Sequence, residues 1–253
     1  VVAASARADR YDTIGVGYAS RRREEPSWAA AIAGALDGAA SVLNVGAGSG
    51  NYEPRTATLV ALEPSATMLA QRRPGAAPAI QGVAEQLPFG DGTFDAALAI
   101  LTVHHWTDPR RGLEELRRVA RRQVVVTFDP AATAGFWLHR DYLPELAAHE
   151  RAQSSLADVL DALEVDRVTA LEVPRDCADG FLGATWAAPD AYLDPIARAS
   201  MSGFALLDPA AVARAMEALA RDIDDGTWAR RNADLLDRDR LDVGFRLVTA
   251  GGG

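Results

Sequence analysis

Apolar positions along this chain fall into two kinds of run. Short continuous apolar stretches bounded by glycine or polar residues occur at 41–45, 59–62, 94–100 and 123–128. Such stretches suit strands buried on both faces of a parallel sheet. A shorter stretch at 79–81 predicts another strand. Between them the spacing turns helical. Trp28, Ile32, Ala35 and Leu36 share one face, with Ser27 after Pro26 as the expected cap and Gly38 as the stop. Ser65 is the expected cap of a helix over 65–72, and Leu113, Leu116 and Val119 line one side of a helix over 110–121. Strands alternating with helices predict a doubly wound, mostly parallel sheet.

The second half is less regular. The pattern predicts a helix at 156–163, a strand at 167–173 closed by Pro174, and helices at 209–223 and 227–236. A closing strand at 242–249 follows, with Val243, Phe245, Leu247 and Thr249 on one side. The fold expected is thus α/β, seven-stranded, with a helical insertion before the last strand. We expect one domain over 1–253: an N-terminal lid (1–26), a core (27–175), a cap (176–241) and the closing strand (242–250). Phe181, Trp186, Tyr192, Phe204 and Trp228 either line a pocket under that cap or form its own small core.

Composition narrows the chemistry. The chain has 253 residues with a net charge of −9, and all 26 of its basic residues other than histidine are arginine. Without lysine, a P-loop, a Schiff base and a lysine general base are excluded. The acidic balance disfavours a phosphate-backbone partner, and the arginines of 110–122 read as a solvated face beside Glu114 and Glu115. One cysteine and four histidines give no disulfide and no zinc framework, so no metal is expected. No apolar run reaches the roughly 18 residues a membrane span needs. Val1 opens no basic-then-apolar leader, so the expectation is a cytoplasmic protein, monomeric or homodimeric, with no membrane partner.

The candidate chemistry begins where the first strand ends. Asn44-Val45-Gly46-Ala47-Gly48-Ser49-Gly50 makes a G-x-G-x-G turn, in which glycine permits positive φ and close approach of backbone N–H groups to a ligand. Glu63 at the tip of the second strand is spaced to accept hydrogen bonds from two ribose hydroxyls. A dinucleotide site wants G-x-G-x-x-G and a helix facing a pyrophosphate. Here the third glycine comes one residue early, and the short stretch before the second strand has no room for a full helix. A cofactor without phosphates is favoured.

These residues, with VALEPSATML, AEQLPFGDGTFDAALA and the HHW-x-D segment, resemble the class I S-adenosylmethionine-dependent methyltransferases. The resemblance is to the broad type 11 group, which includes quinone and sugar methyltransferases, and covers about residues 10–130. It implies a Rossmann-like fold, S-adenosyl-L-methionine as cofactor and S-adenosyl-L-homocysteine as product. By it Gly46, Gly48 and Gly50 cradle the methionine part, Glu63 with Pro64 meets the ribose, and Ala84 and Glu85 flank the adenine. Asn44 and Leu101 join the cofactor set, and Tyr18 and Arg22 match an N-terminal lid in which Arg22 pairs with the cofactor carboxylate. Three departures stand out: Asn44 in place of a common Asp, Val83 in place of an adenine-contacting Asp, and the missing first crossover helix.

Thr102-Val103-His104-His105-Trp106-Thr107-Asp108 follows the fourth strand, at the edge where open α/β folds bind ligands. A hydroxyl or ammonium acceptor must lose a proton on methylation, and histidine suits that work. His105 is the expected base, with His104 turned inward as a structural donor; alternatively both only fix the loop. Asp129 could orient His105, bind substrate, or cap the turn before Pro130. His139 and His149 are expected to be surface or packing residues. The reading is a small-molecule methyltransferase; the alternatives are a cofactor-binding partner protein without transfer and an enzyme for a macromolecule.

Overall fold

A computed structural model describes residues 22–73, 75–153 and 156–252. Its strands are β1 (Ser41–Val45), β2 (Thr58–Glu63), β3 (Ala79–Gln81), β4 (Phe94–Ile100), β5 (Ala120–Phe128), β6 (Val165–Ala170), the two-residue β7 (Val173–Pro174) and β8 (Arg240–Leu241), and β9 (Phe245–Ala250). Seven of these form one sheet in the order β3-β2-β1-β4-β5-β9-β6. The ladders are parallel except for β9, which runs antiparallel to both β5 and β6. The chain winds outward from β1 through β2 to β3, then returns to β4 on the other side. That reversal opens a crevice at the carboxyl ends of β1 and β4.

Alternation along the strands sends side chains to two cores. On one face Val42, Ala61, Leu98, Val124 and Val126 pack with α1 (Pro26–Ala35) and the aromatics of the insertion. On the other, Leu43, Val45, Leu62, Ala97 and Val125 pack with α3 (Pro109–Val119), which follows α2 (Ala66–Ala70). Leu113, Leu116 and Val119 of α3 are fully buried, each contributing roughly 1.5–3 kcal/mol relative to exposure. Glu115 departs from the solvated face expected for it. It is buried, and accepts from Leu87 N–H at 2.9 Å and from Arg118 at 2.8 Å.

Helix starts are set by carboxylates and prolines. The cap of α1 is Glu25, not Ser27; its Oε1 accepts from the Ser27 N–H at 3.1 Å and hydroxyl at 2.8 Å. Pro26 then takes the first helical position, where a missing N–H costs nothing. Ser65 does cap α2, through Met68 N–H. Between β1 and β2 the chain makes turns rather than a helix.

After β5 come α4 (Pro130–Thr133), a π-helical turn (Leu138–Tyr142), α5 (Pro144–Arg151) and α6 (Leu156–Ala162). The insertion lies between β6 and β9 and carries α7 (Pro195–Arg198), α8 (Pro209–Asp224) and α9 (Thr227–Arg231). Its neck is held by the antiparallel pairing of β7 with β8, so the expected strand over 167–173 is split in two. Trp186, Tyr192, Phe204 and Trp228 pack into the core shared with α1 and the sheet. Trp137 ties them in, edge-on to Tyr192 at 5.4 Å and Trp228 at 5.3 Å, with its indole N–H on the carbonyl of Trp186. Among the described residues no helix is long and apolar enough to cross a membrane.

Candidate active site

A solvent-open cleft with about 1110 Å³ of empty space lies at the sheet's switch point. Its floor is the turn after β1. Gly46 and Gly48 have φ of +68° and +52°, a region costly for residues with a Cβ. At Gly46 the need is also steric, since a Cβ would collide with Thr102 Oγ1. The turn is fixed to the neighbouring strand by Gly46 and Ala47 N–H groups on the Leu62 carbonyl. Glu63 completes it: Oε2 accepts from Gly48 N–H at 2.8 Å and Oε1 from Ser65 N–H at 2.9 Å. These two backbone donors orient the buried carboxylate in the cleft wall, and a carboxylate offers about four lone-pair sites in all.

Asn44, Pro64, Ala84, Glu85 and Leu101 also line the cleft, as expected. Asn44 donates to Glu53 Oε1 at 3.4 Å, and Arg72 holds Glu53 at 2.7 Å. Glu85 accepts from the N–H groups of Thr107 and Asp108, tying the histidine segment to the turn after β3. Gly50 is in the motif but not in the cleft wall; its φ of +91° serves the turn, with its N–H on the carbonyl of Ala47. Tyr18 lies outside the described residues.

Arg22 lines the cleft, yet its guanidinium is engaged within the protein. Nε meets Asp179 Oδ1 at 2.5 Å and Nη2 meets Oδ2 at 2.9 Å, a side-on bidentate pair. Asp179 also accepts from the Tyr52 hydroxyl, which in turn accepts from Glu25 N–H. Burial and the Asp179 charge push the Tyr52 phenol well above its ordinary value, so it stays protonated. Burial alone would raise Glu25, but N–H groups of Ala178 and Ser27 and the Ser27 hydroxyl outweigh it and hold the carboxyl low. Neither Tyr52 nor Asp179 was legible as a site residue, because nothing in their own segments marks the meeting of three distant parts of the chain.

A second cavity, with about 860 Å³ of empty space, adjoins the first. Arg22, Leu101 and His105 line both. Leu101 has a φ of +49°, strained for a leucine and held by its N–H on the Val126 carbonyl. The histidine segment is a 3₁₀ turn over Val103–His105. Its two rings lie 3.8 Å apart between centroids, and His104 lines only the second cavity, edge-on to Phe128 at 5.2 Å. Asp129 lines neither cavity. Its carboxylate caps α4 through Ala131 N–H and faces Arg246 at 3.9 Å, which is the capping alternative. Of the two alternatives for His139 and His149, surface or packing, His139 takes the packing one at 2% exposed, His149 is half-buried, and both line the second cavity. All four histidines of the chain therefore meet around one cavity. Phe181 is the member of the insertion's aromatic set that reaches it. Among the described residues no group of three or more His, Cys, Asp or Glu could hold a metal ion.

The parallel sheet with one antiparallel strand, its glycine turn and the buried acid at the tip of β2 define a class I, Rossmann-like methyltransferase fold. Residues 43–128 match the family model described as a methyltransferase domain. The crystal structure described as "Putative methyltransferase from antibiotic biosynthesis pathway" of Anabaena variabilis superimposes with a TM-score of 0.83 at 26% identity, over 91% of this chain and 98% of that one. Demethylmenaquinone methyltransferase of Mycolicibacterium paratuberculosis is 33% identical over 133 residues, 51% of this chain and 57% of that protein. The chloroplastic 2-methyl-6-phytyl-1,4-hydroquinone methyltransferase 2 of Oryza sativa subsp. japonica is 30% identical over 109 residues, 39% of this chain and 31% of that protein. The chain thus spans between about a third and somewhat over half of the length of these curated relatives. It carries a class I S-adenosylmethionine-dependent methyltransferase domain of the type 11 kind.

The cleft fits that cofactor on its own geometry. Gly46 and Gly48 leave room that a Cβ would fill or strain, and the Glu63 carboxylate is an acceptor suited to a diol. The turns after β1 aim no helix end at the site, which suits a ligand without phosphates.

Proposed function

We propose that this protein transfers a methyl group from S-adenosylmethionine to a small-molecule acceptor held in the second cavity. The observation that carries the reading is that the two cavities meet at Arg22, Leu101 and His105. The cofactor supplies an electrophilic methyl on a sulfonium. Everything else is positioning, which suits an in-line displacement. Glu63 and the glycine turn hold the cofactor from the ribose side, and Leu101 and His105 form the boundary the methyl crosses. His105 takes the proton from an acceptor hydroxyl or ammonium on a ring nitrogen as the new O–CH₃ or N–CH₃ bond forms. The proton then passes to water.

The acceptor cavity is walled by Phe128, Phe136, Phe181, Leu146 and Leu182, which suits an apolar ring or chain. Two relatives named for hydroquinone and demethylmenaquinone methylation accord with such an acceptor. The insertion over 176–241 contributes Phe181, Leu182 and Met201 to that wall and acts as the substrate cap. No nucleic acid or membrane partner is part of the reading. The test is incubation of the protein with methyl-labelled cofactor and a metabolite extract, followed by mass spectrometry. One labelled small molecule is the result expected, with turnover falling at least about 100-fold in His105→Ala. No labelled product, or full turnover without His105, sinks the transfer or the base respectively.

A further inference from the structure

The second cavity contains a pair of side chains that the methyl-transfer reading does not use. His139 lies on the π-helical turn, where the Leu143 N–H reaches back to the Leu138 carbonyl, and such turns recur at functional sites. Its Nε2 is 3.2 Å from Glu150 Oε1, on α5. The other polar atoms of both groups, His139 Nδ1 and Glu150 Oε2, are buried and have no hydrogen-bond partner among the described residues. Buried polar groups in folded proteins are nearly always bonded, so two bare atoms on one pair call for an explanation. Both residues line the cavity, beside Phe136 and Leu146.

The chemistry of the bare atoms follows from the bond they flank. A neutral imidazole facing a carboxylate puts its proton on the facing nitrogen, here Nε2. Nδ1 is then a lone pair, and Oε2 of the carboxylate is an acceptor as well. What the pair lacks is a donor. His149 is committed differently: the Gln153 amide donates to its Nε2 at 2.9 Å, so it is not a second copy of the same device. An apolar wall with one acceptor pair set into it selects an apolar molecule with a hydroxyl or amine at one place on its body.

We propose that the His139–Glu150 pair is the recognition element for the acceptor, accepting a hydrogen bond from a hydroxyl or amine group of an otherwise apolar ligand. The proposal rests on reading the second cavity as the acceptor site. It adds a specificity-determining pair distinct from the base at the cavity junction, and excludes fully alkylated or hydrocarbon analogues from tight binding.

The test measures binding, not turnover, with S-adenosylhomocysteine bound. Calorimetry is run with 4-butylphenol, 4-butylaniline and 4-butylanisole, the last lacking the donor. The phenol or the aniline binds at least tenfold more tightly than the anisole in the unaltered protein. His139→Phe, which keeps the bulk, brings the ratio to about one, and Glu150→Gln, which keeps the shape, reduces it to a few-fold. Thermal melting and unchanged S-adenosylhomocysteine affinity establish that both variants fold. The proposal is overturned if none of the three probes binds, if phenol, aniline and anisole bind alike, or if the preference survives both substitutions. Failure of S-adenosylhomocysteine to bind the unaltered protein would instead remove the reading on which the proposal rests.

Discussion

Arg22 and Asp179, separated by 157 positions in the chain, meet side-on through two hydrogen bonds and bury the pair almost completely. The contact joins the segment before α1 to the insertion, and its arginine lines both cavities. Removing one partner leaves an uncompensated buried charge. Asp179→Ala should therefore cost about 3–5 kcal/mol in urea unfolding, more than the double substitution Arg22→Met with Asp179→Leu. Equal losses in the two would mean that the pair carries no coupling.

Glu63 works inward and outward at once, fixing Gly48 and Ser65 N–H groups while lining the cleft. Glu63→Ala loses both charge-assisted bonds and the acceptor for a diol. Calorimetry should find S-adenosylhomocysteine affinity reduced roughly 100-fold. Glu63→Gln keeps one carbonyl oxygen but turns an NH₂ toward a backbone N–H, and should fall between.

Glycine positions with the same sign of φ are not equivalent. Gly38, at +79°, has nothing within 4 Å of the place a Cβ would take, so alanine there costs only the backbone term, about 1–2 kcal/mol. Gly46→Ala adds a collision with Thr102 Oγ1 and should destabilise further and abolish cofactor binding. Cofactor titration and thermal melting of the two variants side by side check this; a Gly46→Ala protein that binds normally contradicts it.

Acid stability should depend on Glu115. The Arg118 hydrogen bond, working against burial and helped by Leu87 N–H, holds this carboxyl below its ordinary value. A depressed folded value means the contribution is complete above the unfolded value and is lost as pH falls through the folded one. Glu115→Gln should be less stable by about 1–3 kcal/mol at pH 7, and the gap should begin to narrow as pH falls below the unfolded carboxyl value of about 4.3 and go on narrowing through the lower folded one. Urea midpoints measured from pH 7 to pH 3 give the two curves; parallel curves would contradict the assignment.

The sheet and half of the site are legible from residue order because they depend on local period and short spacing. β1 and β4 are apolar on both faces, and Glu63 stands close behind its glycine turn. The motif alone does not separate ligand contact from conformational need, which is why Gly50 reads like Gly46 yet lies outside the cleft wall, with its N–H on the Ala47 carbonyl. His139 is illegible for another reason: its burial depends on a π-helical turn and on packing against α5. The Arg22–Asp179 contact depends on the insertion folding back across the sheet, and no local pattern encodes that return.

The place of β9 has a consequence for how the molecule is made. Among the described residues β6 pairs within the sheet only with β9, and β9 also covers the outer edge of β5. Synthesis runs from amino to carboxyl end, so the whole insertion emerges before the strand that joins β5 to β6. Until then β5, with its run Val124, Val125 and Val126, presents an open edge. The slow, long-range closure expected of such a contact leaves a nascent chain exposed to edge pairing with its neighbours. Loss of the last strand would therefore cost the sheet two strands, not one.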